Sequence, residues 1–278
     1  MEMEQRADMR NRPLGSGSQS VARALSVLDL LEKSSEGLGV REIARRVSLS
    51  PSIVQRLIGT LLEFGYVERS ADGQRYRIGY RAFQVGRSYL AQNDLHTASL
   101  PELRELAERH HVNAYLGVLR DRSVVYLEAL QSRGPIAITS APGSQGWLHS
   151  TAFGKALLAE LSDAEVAELL GPEPFHALTR KTKTKLRPLL KELQEVRRLR
   201  YAISDEENLV DVFAAGAAVR DASGRAVAAI SGAVPRNQMG RSEIDKLCRL
   251  VAGAAERISR RLGAAPRGRV AAKALAQG

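Results

Sequence analysis

A chain of 278 residues is long enough for two domains of ordinary size, each with its own apolar core, and a formal charge of +10 makes a polyanion the first partner to consider. The single cysteine, Cys248, excludes internal disulfides and a cysteine-based zinc cluster, so a reducing cytoplasm is the expected compartment. No stretch reaches the roughly 18 uninterrupted apolar residues of a membrane span, and MEMEQRADMRNRPLGSGSQS lacks the apolar core of a signal peptide, so a soluble protein without a membrane partner is expected.

Residues 1–19 mix small, polar and charged side chains and are expected to form a disordered head. Residues 20–78 then read as three short helices and a strand pair. In the first helix, Val21 to about Glu32, the spacing of Val21, Ala24, Leu25, Leu28 and Leu31 assigns them to the core, with Ser20 as the cap. Val27 and Leu30 fall on other sides, either exposed or facing a partner subunit. The second helix, Val40 to Val47, turns Ile43, Ala44 and Val47 inward and leaves Arg41, Glu42, Arg45 and Arg46 outside. After a short turn, Ser50 is placed to cap a third helix and Pro51 to open it, where its missing N–H costs nothing.

Within the third helix Val54, Leu57, Ile58 and Leu61 share one side, while Ser52, Arg56, Gly59 and Glu63 share the opposite one. Major-groove DNA admits an α-helix, and an arginine there can grip a guanine edge with two hydrogen bonds. Ser52, Gln55 and Arg56 are therefore the candidate base readers, flanked by Arg41, Arg45 and Ser50. The competing reading is an ordinary solvated face. Two features favour DNA: the order of short helix, turn and helix is a helix-turn-helix layout, and residues 65–78 read as strand, Asp-Gly turn and strand. Arg69, Arg75 and Arg77 line that wing, where guanidinium groups hold phosphates and set register without reading sequence.

A bridging helix follows, from Gly79 to about Gln92, within a linker of residues 79–93. The larger segment, residues 94–262, is α+β: Asn113 to Leu119 with Ser123 to Leu130, and Val212 to Val219 with Ala226 to Val234, form two hairpins of an antiparallel sheet. Helical patterns fall at Thr151 to Leu161, Ser162 to Leu170, Lys183 to Leu199 and Arg241 to Leu262. Residues 263–278 form a basic, flexible tail with little to bury.

An enzyme would need a nucleophile with its base, or a metal cluster. His110 and His111 are adjacent and do not share a helical face, which makes them a poor metal pair. No catalytic residue, metal or cofactor is expected. Neighbouring Glu206 and Glu207 point to different sides, and Cys248 shares the apolar face of Ile244, Leu247, Val251, Ala255 and Ile258, which makes it buried and inert. Positive charge is densest at residues 180–200, with nine basic side chains against two acidic ones. That cluster reads as a solvated helix face or as an extra electrostatic contact to DNA.

QSVARALSVLDLL followed by VREIARRVSLSPSIVQRLIGTLLEFGYVERSADGQRYRIGYRAFQVG resembles the amino-terminal half of the IclR family of bacterial transcriptional regulators. LHSTAFGKALLA, YAISDEEN and VRDASGRAVAAISGAV, in that order, resemble its effector-binding half, so the likeness spans about residues 20–262. It implies a winged helix-turn-helix, a linker helix and a GAF-like effector-binding domain. It also implies a homodimer or dimer of dimers on a near-palindromic operator of double-stranded DNA, controlled by a small organic acid and most commonly repressing. Tyr80, Phe83, Val85 and Tyr89 fit such a linker, since a helix apolar on several sides wants several neighbours. An activator of the same build, or a sensing module without DNA binding, is the alternative.

By the same resemblance the effector sits between the sheet and the helix that begins near Thr151. Unpaired N–H groups at a helix start favour an anion, and Ser150, Thr151 and Gly154 would allow a carboxylate to come close. His149, Gly154, Ala156 and Ser231 match pocket positions of the family. Ser204, Ala214 and Ala233 stand where the family often carries aspartate, cysteine and a second serine, Asp211 where it has glycine, and Ala218 where it has proline. These losses of polar groups favour a larger or less polar acid, such as an aromatic one.

Overall fold

The computed structural model describes residues 17–91, 94–132 and 140–265. The expected head up to residue 16 and the expected tail from residue 266 lie outside the described residues. The chain divides into two compact units, Met1–Leu90 and Ala91–Gly278.

The first unit contains α1 (Gln19–Glu32), α2 (Val40–Arg46), α3 (Pro51–Glu63), β1 (Val67–Arg69), β2 (Tyr76–Ile78) and all but the last residue of α4 (Tyr80–Ala91). Its core joins Val27 and Leu31 to Leu38, Ile43, Ala44, Val54, Ile58, Leu61, Val67 and Tyr76. Two expectations for α1 are corrected. The helix buries Val27 and Leu31 with Ala24, Leu28 and Leu30 packed alongside, whereas Val21 and Leu25 are more than half exposed. Apolar residues occupy several sides of this helix, and the stripe through Ala24, Val27, Leu28 and Leu31 obeys the same period as the expected one, so periodicity alone could not choose. Ser20 lies inside the helix; Ser18 holds the cap position, and its side chain makes no capping bond.

The start of α3 is as the sequence indicates. The Ser50 hydroxyl accepts from the Ile53 N–H at 3.4 Å with Pro51 at the first turn, an arrangement worth about 1 kcal/mol. Strands β1 and β2 pair antiparallel through Glu68 and Arg77, and a bridge from Leu38 to Tyr76 adds a third segment to this small sheet.

The second unit begins with α5 (Asp94–Arg104), which continues through a π-helical turn to Arg109. A six-stranded antiparallel sheet follows, in the order β5-β4-β3-β8-β7-β6. Its strands are β3 (Asn113–Arg120), β4 (Ser123–Leu130), β5 (Gln145–Gly146), β6 (Ala202–Asp205), β7 (Val212–Arg220) and β8 (Ala226–Pro235). The helices between and after them are α6 (Ala152–Leu158), α7 (Asp163–Leu170), α8 (Leu186–Leu199) and α9 (Arg241–Arg261). Both expected hairpins form, β3 with β4 and β7 with β8. Not marked in the sequence were α5, the two-residue β5 and the short edge strand β6.

Small side chains on β7 and β8 let the helices approach closely. A Cβ at Gly216 would lie 2.5 Å from the carbonyl carbon of Ala152, so α6 rests directly on the sheet there. Leu247 and Val251 of α9 press on the opposite face, against Gly232. Every residue of α6 is buried, Lys155 included. The Lys155 ammonium lies 2.6 Å from Glu192 and 2.8 Å from Glu207, and Lys183 completes the quartet at 3.1 Å from each. Two cations against two carboxylates leave no net charge, which is what makes burial tolerable.

Candidate functional site

On α3, Val54, Ile58 and Leu61 are buried and Leu57 packs beside them, while Ser52, Gln55, Arg56, Gly59 and Glu63 are exposed. Ser52 shares a hydroxyl contact of 3.1 Å with Ser50. The side chains of Gln55 and Arg56 have no partner among the described residues, so their donors are available to an outside ligand. Arg41 and Arg45 are exposed on α2. The turn between the helices, Val47-Ser48-Leu49, is closed with Ser48 at φ 55°.

The wing arginines do not share one face. Arg69 pairs in register with Tyr76 and sits over its ring, 5.6 Å from the centroid, on the side that carries buried Val67. Arg77 lies on the other side with Glu68, 3.6 Å away, and Arg75 shares its parity. Alternation along a strand dictates this split. The turn itself is built by Asp72, whose carboxylate accepts from the Ser70 hydroxyl and the Gln74 N–H, bonds that hold it below the usual carboxylate range.

In the second unit the expected effector residues come together on the α6 side of the sheet, but most of their hydrogen bonds are spent internally. Thr151 caps α6, accepting from the Gly154 N–H at 3.2 Å. At Gly154 the space that a side chain would need is filled by the protein itself: a Cβ there would lie 2.5 Å from the Thr151 hydroxyl and 2.6 Å from the Leu148 carbonyl. Ala156 and Ala233 belong to the hydrophobic core, with Ala214 packed against it. Ser231, which matches a pocket position of the family, donates to the Ala215 carbonyl at 3.0 Å. Ser204 donates to the Ser150 carbonyl at 2.7 Å, and the Ser150 hydroxyl to Asn208 at 2.9 Å. His149 sits 2.9 Å from the His176 carbonyl, and burial holds its imidazole below its ordinary value, which favours the neutral ring.

A cleft of about 330 Å³ opens beside this cluster, lined by Tyr126, Ser144, Trp147, Leu178 and Asn208 among others. Trp147 stacks on His176 with centroids 4.9 Å apart, and Tyr126 meets Phe153 edge to face. None of the expected effector residues lines this cleft directly. Ser150 reaches it through Asn208, and His149 lies against Trp147, 5.7 Å between centroids. Sequence reasoning missed Tyr126, Trp147 and Asn208. One signal was present: Trp147 is the sole tryptophan and stands two residues before His149. A second groove, of about 410 Å³ around Leu119, Leu157 and Leu161, holds no expected effector residue.

Glu206 and Glu207 do diverge: Glu206 pairs with Lys181 outside, and Glu207 with Lys155 inside. Cys248 is buried, its thiol pushed up to about 12 chiefly by burial. Among the described residues no group of three or more His, Cys, Asp or Glu could hold a metal ion, and no helix is long and apolar enough to cross a membrane.

Comparison with known proteins agrees with this geometry. Residues 20–71 match the IclR helix-turn-helix domain, and residues 87–260 match the bacterial transcriptional regulator IclR C-terminal domain. The transcriptional regulator BhcR of Paracoccus denitrificans is 32% identical over 251 residues, covering 90% of this chain and 89% of its own. The crystal structure of Thermotoga maritima IclR superposes with a TM-score of 0.72 at 28% identity, covering 88% of this chain and 98% of that one. An IclR homolog from Microbacterium hydrocarbonoxydans, crystallised with 4-hydroxybenzoate, shares the fold with a TM-score of 0.77 at 22% identity, covering 88% and 99%. With its helix-turn-helix, its antiparallel effector-type domain and matches to both family domains, the chain belongs to the IclR family of bacterial transcriptional regulators.

Proposed function

We propose that α3 enters the major groove of an operator, with Arg56, Gln55 and Ser52 on base edges, Arg41, Arg45 and Ser50 close to the backbone, and Arg69, Arg75 and Arg77 on phosphates. What carries this is the outward face of α3, whose polar side chains lie opposite Val54, Ile58 and Leu61 and leave Gln55 and Arg56 without an internal partner. In this reading residues 20–78 are the DNA-binding domain, 79–93 the linker and 94–262 the effector-binding domain. Exposed Tyr80, Phe83 and Val85 on α4 are the surface through which copies associate. Two heads related by a two-fold axis then read a near-palindromic site. The protein acts in the cytoplasm as a repressor and performs no catalysis.

The effector is a small organic acid carrying an aromatic ring. Supporting this, the cleft presents Trp147 and Tyr126 as flat apolar walls and Asn208 as a polar group, and the Microbacterium homolog of the same fold is a 4-hydroxybenzoate complex. A ligand shifts operator affinity only as far as it binds the DNA-competent and incompetent arrangements unequally. Footprinting on the promoter-proximal sequence, with and without acids that raise the melting temperature, tests both parts. Protected bases on a near-palindrome, altered by a ring-bearing acid, are expected. Absence of protection at moderate salt overturns the DNA reading, and a melting shift only with aliphatic acids overturns the effector reading.

A further inference from the structure

Helix α8 separates its residues sharply. Leu189, Leu193 and Val196 are buried, and directly opposite them Arg187, Lys191, Gln194 and Arg198 form one exposed stripe at spacings of four, three and four residues. The stripe runs about 16 Å along the helix. Within the surrounding basic cluster the structure distinguishes two sets. Lys181, Lys183, Arg197 and Arg198 are in ion pairs with Glu206, Glu192 and Glu207, Asp163, and Glu195. Arg180, Lys185, Arg187, Lys191 and Arg200 have no ion-pair partner among the described residues.

The placement opposes the helix dipole. The first turn of α8 carries no acidic side chain, and Lys185 and Arg187 stand at the positive end of the helix. Glu173, which accepts from the Leu186 N–H at 2.7 Å, is the acidic group that faces this end. By contrast α9 exposes mixed signs, Glu243 and Glu256 among Lys246 and Arg249. Arg187 and Lys191 of this stripe, with Lys185 beside them at the unfavourable helix end, are cations left unpaired among the described residues, and they fit an external polyanion. Duplex DNA offers about one negative charge per 1.7 Å of axis.

We propose that the outward stripe of α8 is a second, sequence-independent contact to double-stranded DNA, made to phosphates beyond the bases that α3 reads. It depends on the DNA-binding reading of α3 only in that both engage one duplex. The test uses the full chain and two duplexes, one trimmed to the protected bases and one with natural flanks, with affinity measured across a salt series. Arg187→Gln with Lys191→Gln should flatten the slope of log K against log salt by about 2 on the flanked duplex and leave the trimmed duplex unchanged. A control pair of equal charge loss, Lys246→Gln with Arg249→Gln, should leave both slopes as they are. Both pairs are exposed, and matched melting curves confirm folding. The proposal is overturned if the stripe variant keeps the wild-type slope on flanked DNA, or if the control flattens it as much. Failure of the α3 reading shows separately, as loss of wild-type binding to the trimmed duplex.

Discussion

Two helices, one in each unit, solve opposite problems. Helix α3 buries one stripe and leaves the other chemically unspent, so its polar groups face outward with nothing inside to satisfy them. Helix α6 is buried on every side, and the polar groups around it, Ser150, Thr151, Ser204 and Ser231, have partners within the unit. A surface that reads a macromolecule keeps its donors free. The polar groups around α6 are instead spent holding the shape of their own unit.

The contrast can be broken most forcefully at Lys155. Replacing it with methionine leaves Glu207 and Glu192 with Lys183 alone, and the second unit should lose about 3–5 kcal/mol, as expected when one partner of a buried pair is removed. Chemical denaturation measures it. An unchanged midpoint would mean that the quartet is hydrated. Arg56→Ala makes the opposite statement. It should cost operator affinity by about 1–3 kcal/mol and relax preference at one base pair, while denaturation stays within about 0.5 kcal/mol of wild type.

Smaller effects sharpen the comparison. Arg75→Gln and Arg77→Gln should each flatten the salt dependence of binding by about 0.9 on any sequence. Because Arg69 lies on the other face of the ribbon, Arg69→Gln should depart from that pair, losing the ring contact with Tyr76 and so some stability too. The smallest effect is a pH dependence. Burial lowers the His149 pKa below 6.5, so under acid conditions the unfolded chain binds a proton that the folded chain resists. Stability should be complete above about pH 6.5 and fall as pH drops through the window below it. A His149→Gln variant, which keeps a donor for the His176 carbonyl, should show a flatter melting profile between pH 7 and pH 5.

The elements of the first unit were legible because caps and turns are local. Ser50-Pro51 and Asp72-Gly73 each announce a geometry that their own side chains then build. The α1 face was misread because its apolar residues satisfy two stripes, and the choice is made by α2, α3 and β2, which are distant in sequence. The effector region was legible as motifs and not as chemistry. Whether Ser231 faces a ligand or a carbonyl depends on the strand register that places it opposite Gly216, beside Ala215. The cleft escaped for a similar reason, since Tyr126, Trp147 and Asn208 come from three separate segments that only the folded sheet assembles.

The bridge between Leu38 and Tyr76 closes with a reciprocal pair of backbone bonds, each 2.9 Å long. It fastens the ribbon to the connection that leads into α2, so the ribbon cannot swing while the helices stay still. Each reading head is in consequence a single stiff tool with a fixed span. In the proposed dimer, a signal from the proposed acid would act by changing the distance or angle between two such tools rather than by bending one.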